Sequence, residues 1–522
     1  MSSALPPFTN EPLTDFSVES NRTAFREALE LVRSQLGTHY PLVIGDERIE
    51  TKDTLPSINP ARPKEVVGVM AEATKADAAR AIEIAHEAFL KWQHVDAHER
   101  ARYLLRAAAE MRKRKHEFSA WMVFEIGKSW AEADADTAEA IDFMDYYARQ
   151  AIRLTTASEQ LVQAPGEQLA LQYIGLGVCA VIPPWNFPNA IMAGMTSAAI
   201  VSGNSVVLKP AGITPIIAYK LCELFWKQGL PPGVLNFVPG PGAEIGDTMV
   251  DHPKTRFIAF TGSKEVGMRI FERAARVHPG QLWLKRTILE MGGKDAVIVD
   301  ETADLNAAAE GIVASAFGFQ GQKCSAGSRA IIVKSVYETV AKRVVERTKK
   351  LRQDAPDKGA DVHQGPVSDE RAFKKIMKYI EIGAQEGTLL CGGKVKETPD
   401  DGYFIEPTIF GDVPGDARIA QEEIFGPVLA LIPVADFDEA LAVANSTEFG
   451  LTGAVYSQNR ERLERARREY HVGNLYFNRK CTGALVGVNP FGGFNMSGTD
   501  SKAGGPDYLL LFTQAKSIAE KL

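Results

Sequence analysis

The chain has 522 residues, of which 45% are hydrophobic and 24% are charged, as in ordinary globular proteins. This length exceeds one simple core, so we expect two or three domains. The formal net charge of −7 argues against a nucleic-acid-binding surface, and no apolar run is long enough to span a bilayer.

The start of the chain has no basic segment followed by an apolar one, so we expect no signal peptide. The five cysteines lie far apart and form no C-x-x-C pair, which argues against a zinc site or a disulfide framework. The histidines form no H-E-x-x-H motif, and no Walker lysine motif is present. We therefore expect a cytoplasmic protein that is not built around a metal or a nucleoside triphosphate.

Two features precede the first α/β stretch. The segment 75–114 is rich in alanine and amphipathic, which predicts a long helical hairpin. Between 158 and 175 the pattern changes to strand-like residues around a Pro165-Gly166 turn. This change predicts a β-hairpin that projects from the body of the protein.

From about 177 to 300, short β-branched runs alternate with helix-like stretches, which predicts βαβ units and a parallel, helix-covered sheet. The predicted strands are 178–182, 206–208, 235–238, 257–260 and 296–299. A second α/β stretch follows from Asp304: a helix, a loop that carries Cys324, a strand at 330–333 and a helix at 336–351.

The tail after Gly493 is polar and rich in glycine, then ends in an apolar run at 508–512 that needs a partner surface. A projecting hairpin and an apolar terminal strand together favour an oligomer. Packing within the chain is an equally good explanation of both features.

Three side chains suggest covalent catalysis. Asn186 lies in a turn bracketed by two prolines, which would hold its amide ready to stabilise an oxyanion, although asparagine is also common in plain turns. Glu290 ends an apolar run before two glycines and could act as a general base, although most glutamates are simply solvated. Cys324 follows a polar, glycine-containing loop, where an exposed thiol can ionise and attack, whereas most lone cysteines are buried apolar residues.

A cofactor segment is suggested at 260–267, where a strand runs into Gly262-Ser263 and then into a helix that includes Gly267. Backbone N–H groups at such a helix N-terminus can bind a pyrophosphate. The segment 240–246 is a similar glycine-rich turn, and both signals are weak alone. Lys209, at a predicted strand end, could bind a ribose or phosphate, or could be a surface lysine.

In their order and spacing, and over nearly the whole chain, these segments resemble the aldehyde dehydrogenase superfamily. The resemblance implies that Cys324 is the nucleophile, Glu290 the general base and Asn186 the oxyanion donor. It implies an α/β fold with three parts: a Rossmann-like cofactor domain (1–157 and 176–288), an α/β catalytic domain (289–493), and a β-hairpin oligomerisation element with a tail (158–175 and 494–522).

The resemblance also implies NAD as the cofactor, with NADP as an alternative. Residues matching Lys209, Ser263 and Glu423 contact the adenosine ribose, the pyrophosphate and the nicotinamide ribose. The implied cofactor-binding set is Lys209, Gly262, Ser263, Gly267, Gly292, Glu423 and Phe425. Many NAD-preferring members have glutamate where this chain has Gly212, so the choice between NAD and NADP stays open.

Within the superfamily, the segments 134–143, 318–326 and 482–487 are similar to those of the pyrroline-5-carboxylate dehydrogenases. That resemblance implies oxidation of glutamate γ-semialdehyde to glutamate, the second step of proline degradation. In that group the substrate carboxylate is held by a serine and two backbone groups, the ammonium by a glutamate, and the carbon chain by two rings. The matching residues are Ser325, Gly483, Ala484, Glu139, Phe187 and Phe491. Glu139 could instead be a helix-surface charge and Phe491 a core ring.

The implied partners are the small-molecule substrate and further copies of the chain, as a dimer or a trimer of dimers, with a transient contact to proline dehydrogenase. We expect no nucleic-acid or membrane partner. Other aldehydes, such as succinate or aminoadipate semialdehyde, are disfavoured by the segment 482–487. A coenzyme A-acylating activity is disfavoured by Glu290, and a catalytically idle structural protein by the intact catalytic residues.

Overall fold

The computed structural model describes residues 6–156, 161–499 and 501–522. Its α-helices are α1 (Glu19–Arg33), α2 (Lys75–Trp92), α3 (Ala97–Lys113), α4 (Lys115–Ile126), α5 (Trp130–Arg153), α6 (Ala190–Val201), α7 (Pro215–Lys227), α8 (Asp247–Asp251), α9 (Lys264–Ala274), α10 (Leu305–Phe317), α11 (Lys334–Thr348), α12 (Glu370–Glu386), α13 (Arg418–Gln421), α14 (Phe437–Ala444) and α15 (Arg460–Glu469).

The strands are β1 (Thr38–Tyr40), β2 (Leu42–Ile44), β3 (Glu47–Ile49), β4 (Thr54–Asn59), β5 (Arg62–Ala71), β6 (Glu167–Gly175), β7 (Val178–Ile182), β8 (Ser205–Leu208), β9 (Leu235–Phe237), β10 (Thr255–Thr261), β11 (Arg286–Glu290), β12 (Asp295–Val299), β13 (Gly327–Val333), β14 (Thr388–Cys391), β15 (Thr408–Gly411), β16 (Val428–Val434), β17 (Phe449–Gly450), β18 (Thr452–Tyr456), β19 (Asn474–Phe477), β20 (Phe494–Asn495) and β21 (Thr513–Lys521).

The first large sheet has seven strands in the order β11-β10-β7-β8-β9-β2-β3. Strands β7 to β11 pair in parallel, as the βαβ pattern predicts, and β2 and β3 add antiparallel pairs at one edge. Alternate residues of β7 enter different cores: Cys179 and Val181 pack with α6 and α7, whereas Val178 and Ala180 pack with α2. The carboxyl ends of the parallel strands meet at one edge, where α/β sheets bind ligands.

The second large sheet has the order β14-β15-β16-β13-β12-β18-β19 and is parallel except for β14. The predicted strand at 296–299 is present as β12. The alternation predicted that this strand would continue the first sheet, but it does not. It pairs with β13 and β18 instead. The predicted strand at 330–333 and its flanking helices are confirmed as β13, α10 and α11. Hydrophobic periodicity identifies a strand but does not encode which sheet it joins.

The helical hairpin predicted at 75–114 is confirmed as α2 and α3. Thr74 caps α2 through a reciprocal capping box with Asp77, and the Asp96 side chain caps α3. Two further helices, α4 and α5, pack beside this hairpin, and most of α5 is buried. The position of α5 matters because it carries Glu139, which is half-buried.

The β-hairpin predicted at 158–175 is wrong for the described residues. The only strand in 161–175 is β6, and it pairs antiparallel with the C-terminal strand β21, from Thr513 opposite Gly175 to Lys521 opposite Glu167. Residues 158–160, where the predicted hairpin begins, lie outside the described residues. The projecting element is therefore a two-stranded sheet that joins two distant parts of the chain.

The apolar run at 508–512 forms a short 3-10 helix and not a terminal strand. Tyr508, Leu509 and Phe512 are buried in the core beside the first sheet, so packing within the chain accounts for this run. The exposed terminal element is β21, whose residues are mostly exposed from Gln514 onward. In the part of the chain that the structure describes, no helix is long and apolar enough to cross a membrane.

Candidate active site

The loop before Cys324 has an unusual backbone. Phe319, Gln320 and Gly321 all adopt positive φ angles, of 47°, 56° and 67°. A side chain at Gly321 would meet the Gly426 carbonyl oxygen at 2.3 Å, so this position requires glycine. The Gln320 side-chain amide donates a 2.6 Å hydrogen bond to the Pro366 carbonyl. Strained backbone of this kind persists only where its surroundings enforce it, and here it fixes the nucleophile's position.

The thiol of Cys324 is partly exposed but is not predisposed to ionise. Burial in the site raises its pKa well above the usual value, and the carboxylates of Asp295, Glu290 and Glu423 raise it further. A thiol in this environment therefore ionises less readily than that of an exposed cysteine. A base, or a positive charge brought by a ligand, must assist the loss of the proton.

Asn186 lies beside this loop, as predicted. It is 4% exposed, and its Nδ2 donates a 3.0 Å hydrogen bond to the carbonyl of Gln322, two residues before Cys324. Asn186 comes from the turn after β7, so the contact ties the first sheet to the nucleophile loop. An amide held in this way can stabilise an oxyanion on a substrate attacked by Cys324.

Glu290 is the last residue of β11, where it lies opposite Thr261 of β10. The hydroxyl of Ser501 donates a short hydrogen bond to its Oε1, and its backbone bridges to Gly498. Ser501 was not predicted, because it lies more than 200 positions away and no local motif marks it. The side chain of Glu290 raises the pKa of the Cys324 thiol, so the two groups interact electrostatically.

The glycines after Glu290 allow two close approaches. A side chain at Gly292 would lie 2.5 Å from a carboxylate oxygen of Glu423, and one at Gly293 would lie 2.5 Å from the Cys324 carbonyl. The N–H of Gly293 also donates a 3.0 Å hydrogen bond to Glu423 Oε1. Phe425, at a φ of 62°, packs edge-on against Trp185 at 5.4 Å between ring centroids. Only glycine lets Glu423 and the nucleophile loop meet here.

Lys209 and Ser263 lie at the carboxyl ends of parallel strands of the first sheet. Lys209 follows β8, is 6% exposed and donates to the Pro210 carbonyl at 3.0 Å; burial lowers its pKa to about 8. Ser263 follows β10 and caps the N-terminus of α9. A buried amine and a capped helix N-terminus at one sheet edge fit the ribose and pyrophosphate of a dinucleotide. A side chain at Gly212 would touch only Leu55, at 3.9 Å.

Two more glycines make the start of α9 compact. A side chain at Gly262 would lie 2.5 Å from the Phe260 ring, and one at Gly267 would lie 2.5 Å from the Met291 sulfur. Glycine at both positions lets the helix approach the end of β10 closely, as the binding of a pyrophosphate by backbone N–H groups requires.

Glu139 lies on α5 within a cluster of charged residues. Burial raises its pKa to about 8, the Asp136 and Asp142 carboxylates add to the effect, and Lys128 and Lys323 oppose it. Glu139 is half-buried, and the shift in its pKa indicates an environment less polar than that of a fully exposed helix face. A cationic ligand would stabilise the ionised form of this carboxyl, because a nearby positive charge favours that form.

The rest of the cluster is paired. Lys128 and Asp136 form a fully buried ion pair at 2.6 Å, and Lys323 forms a partly buried ion pair with Glu132 at 2.7 Å. The Lys128 ammonium also lies 4.1 Å from the centroid of the Phe187 ring, in cation–π range. The lysines were not predicted, although the acidic run at 132–142 on one helix was a usable signal.

Of the remaining predicted substrate residues, Ser325 contacts the segment that leads to Gly483 and Ala484. Ser325 is buried, and its carbonyl accepts a 3.4 Å hydrogen bond from the Cys481 thiol, two residues before Gly483. Phe491 forms an isolated bridge with Ala503. The structure thus brings Ser325, Gly483 and Ala484 into one region. Within the described residues, no group of histidine, cysteine, aspartate and glutamate side chains could hold a metal ion.

Comparisons with known proteins agree with this arrangement. A family model described as the aldehyde dehydrogenase family matches residues 48–518. The chain is 62% identical to 1-pyrroline-5-carboxylate dehydrogenase of Geobacillus kaustophilus, over 98% of this chain and 99% of that protein. It superposes with a TM-score of 0.97 on a solved 1-pyrroline-5-carboxylate dehydrogenase from Thermus with bound NAD, at 54% identity, over 99% of this chain and 100% of the other.

A longer protein is also similar. Proline utilization A from Bdellovibrio bacteriovorus matches with a TM-score of 0.96 and 44% identity, over 99% of this chain and 53% of that chain. These comparisons confirm the predicted resemblance and the predicted α/β fold class.

Proposed function

Because the chain belongs to the aldehyde dehydrogenase family, we propose that it oxidises L-glutamate γ-semialdehyde to L-glutamate with NAD as the cofactor. The semialdehyde is the hydrolysed form of 1-pyrroline-5-carboxylate, so this is the second step of proline degradation. The observation that carries the proposal is the proximity of three groups. The Asn186 amide donates a hydrogen bond to the loop of Cys324, and the charge of Glu290 contributes to the raised pKa of the Cys324 thiol.

In the first half of the reaction, Cys324 loses its proton and its sulfur attacks the aldehyde carbon. The oxyanion that forms accepts hydrogen bonds from the Asn186 amide and the Cys324 backbone N–H. Bound NAD supplies the acceptor for the hydride that leaves this carbon. The Cys324 sulfur then carries the acyl group as a thioester.

In the second half, the Glu290 carboxylate takes a proton from a water molecule, whose oxygen attacks the thioester carbon. The carbon–sulfur bond breaks, glutamate leaves and the thiol regains a proton. Overall the aldehyde loses a hydride and gains an oxygen from water. Ser501, which donates to Glu290, holds the base in position.

For the cofactor, we propose contacts from Lys209 to the adenosine ribose, from Ser263 to the pyrophosphate and from Glu423 to the nicotinamide ribose. The proposal is supported by the buried amine of Lys209, the capped α9 N-terminus and the Glu423 carboxylate fixed by Gly293. Gly262, Gly267, Gly292 and Phe425 complete the proposed surface.

For the substrate, we propose that Ser325 and the N–H groups of Gly483 and Ala484 receive the carboxylate, and that Glu139 receives the ammonium. Donors at one end and a carboxylate at the other suit a zwitterionic amino acid. Phe187 and Phe491 would contact the carbon chain between them. The raised pKa of Glu139 supports this assignment, because its carboxyl lacks a full counter-charge until a cation binds.

We also propose that the protein works in the cytoplasm as a homo-oligomer, a dimer or a trimer of dimers, with a transient contact to proline dehydrogenase. The exposed strand β21 supports self-association, because a strand edge can pair with another chain. The domain boundaries 1–157 with 176–288, 289–493, and 158–175 with 494–522 remain a proposal. They are supported by the separation into two large sheets and by the β6–β21 element, with the boundary at 288/289 falling inside β11 of the first sheet.

The test follows cofactor reduction with pyrroline-5-carboxylate, succinate semialdehyde and a simple aliphatic aldehyde, using NAD and NADP in parallel. We expect the highest kcat/KM for pyrroline-5-carboxylate with NAD. Equal or faster turnover of the other aldehydes would leave the thioester mechanism in place but remove the substrate assignment. Comparable rates with NADP would show that Gly212 relaxes the cofactor preference.

A further inference from the structure

The loop after β19 is organised by one arginine. Nη2 of Arg479 donates two hydrogen bonds, to the carbonyl of Thr482 at 2.9 Å and to the carbonyl of Gly483 at 3.0 Å. The guanidinium also lies over the Tyr476 ring, 4.3 Å from its centroid, which restricts its orientation. Two successive carbonyls therefore point toward the same cation.

Because these two carbonyls are held toward Arg479, the direction of the N–H groups in the same two peptides is also fixed. In a trans peptide the C=O and the following N–H point in opposite directions. The N–H groups of Gly483 and Ala484 must therefore point away from Arg479. Neither has an acceptor among the described residues. Gly483 has a φ of +81°, and a left-handed residue of this kind lets successive N–H groups converge on one anion.

This pair of N–H groups is tied to the reacting end of the site. Cys481 donates its thiol to the Ser325 carbonyl at 3.4 Å and its N–H to the Ser315 hydroxyl at 3.1 Å. Ser325 follows the nucleophile directly, so the loop is fixed relative to Cys324. The distance from the anion-binding N–H groups to the attacking sulfur is thereby set by the fold.

We propose that Arg479 is a positioning residue for substrate selection: it holds the Thr482 and Gly483 carbonyls so that the N–H groups of Gly483 and Ala484 receive the substrate carboxylate. The inference rests on the proposed function. A cation bonded to a peptide carbonyl also polarises that peptide and strengthens its N–H as a donor. Arg479 thus acts on the carboxylate through the backbone and does not touch the substrate.

The test compares R479M and R479K with the wild-type protein, using pyrroline-5-carboxylate and propanal as substrates. Loss of two oriented donors should raise KM for pyrroline-5-carboxylate about ten- to a hundredfold. Its kcat, and both constants for propanal, should change by less than about twofold, because propanal has no carboxylate to bind. R479K keeps a cation but not the planar guanidinium, so its KM for pyrroline-5-carboxylate should lie between those of the wild-type protein and R479M.

A matched control is R467M. Arg467 also stacks on an aromatic ring, that of Phe477 at 5.2 Å, and it bonds Glu464, but it contacts no carbonyl of the loop. We expect wild-type constants for R467M with both substrates. Inhibition by L-glutamate gives a second measurement, since its inhibition constant should rise in R479M in parallel with KM.

Two results would overturn the inference while the proposed function stands. One is an unchanged KM for pyrroline-5-carboxylate in R479M. The other is an equal loss of activity on both aldehydes, which would make Arg479 a structural residue only. Propanal turnover also reports whether R479M is folded. If the wild-type protein shows no preference for pyrroline-5-carboxylate over propanal, the proposed function fails as well, and the inference with it.

Discussion

The two ends of the proposed substrate site are built differently. The reacting end consists of Cys324, Glu290 and Asn186, and each lies in a short segment with its own prolines or glycines. The anchoring end consists of Glu139 and the loop 482–487, and the loop is held by Asn10 and by Arg479. The residues of the reacting end are therefore marked by their sequence neighbours, whereas those of the anchoring end have no such neighbouring motif.

The comparison predicts that the largest loss comes from the reacting end. Replacing Cys324 with alanine removes the attacking sulfur, so kcat/KM should fall about four orders of magnitude or more with every aldehyde. Cofactor binding should be unchanged, which a fluorescence titration with NADH measures. C391A is the matched control, because Cys391 is also partly exposed but lies on β14. Retained turnover in C324A would exclude the covalent mechanism.

Glu290 should give the next largest effect. In E290Q the thioester should form but hydrolyse slowly, so steady-state turnover should fall about a hundred- to a thousandfold. Rapid-mixing absorbance should still show a burst of about one reduced cofactor per site, and mass spectrometry should detect acylated Cys324. S501A removes only the hydroxyl that donates to Glu290 and should cost far less. Absence of a burst in E290Q would mean that Glu290 is also needed for the first half of the reaction.

This contrast explains what the sequence could predict. The catalytic residues were found because their neighbours, such as the prolines around Asn186 and the glycines after Glu290, are adjacent in sequence. Arg479 and Ser501 were missed because their partners are set by loop conformation or lie far along the chain. The same holds for the fold: strand β7 was predicted from its β-branched run, but the pairing of β6 with β21 depends on two segments more than 300 positions apart.

At the anchoring end, Glu139 should give a selective and pH-dependent effect. E139Q should raise KM for pyrroline-5-carboxylate about tenfold or more and leave propanal unaffected, because only the amino acid brings an ammonium group. The pKa of Glu139 is raised to about 8, mainly by burial. Below pH 8 the carboxyl must release a proton to bind the ammonium. The affinity for L-glutamate should therefore weaken about tenfold for each unit by which the pH is lowered.

The E139Q variant is the matched control for this pH dependence, and the raised pKa of Glu139 also predicts how the stability of the protein changes with pH. In E139Q the inhibition constant of L-glutamate should lose its dependence on pH between 6 and about 8. Because the pKa is raised in the folded state, Glu139 favours folding below its usual value of 4.5, and this contribution is lost as the pH rises through about 8. Raising the pH from neutral to 9 should therefore lower the free energy of unfolding of E139Q less than that of the wild-type protein, because glutamine has no proton to lose. An unchanged pH profile would remove Glu139 from the ammonium site.

The smallest effect should come from Asn10, which links both parts of the anchoring end. Its Nδ2 donates to Asp142 on α5 at 2.8 Å and to the Val486 carbonyl at 2.9 Å, so one amide joins the helix of Glu139 to the loop of Gly483. N10A should raise KM for pyrroline-5-carboxylate about two- to fivefold, the cost of about one hydrogen bond, and leave propanal unaffected.

N21A is the control for Asn10, because the Asn21 amide makes a similar bond to the Asp15 carbonyl on an exposed surface. The sharpest measurement combines N10A with R479M in a double-mutant cycle. If both residues hold the same loop, the loss in the double variant should be smaller than the sum of the single losses, because R479M already frees the loop that Asn10 restrains. Additive losses would mean that the two contacts act on separate elements, and that the anchoring end is not one unit.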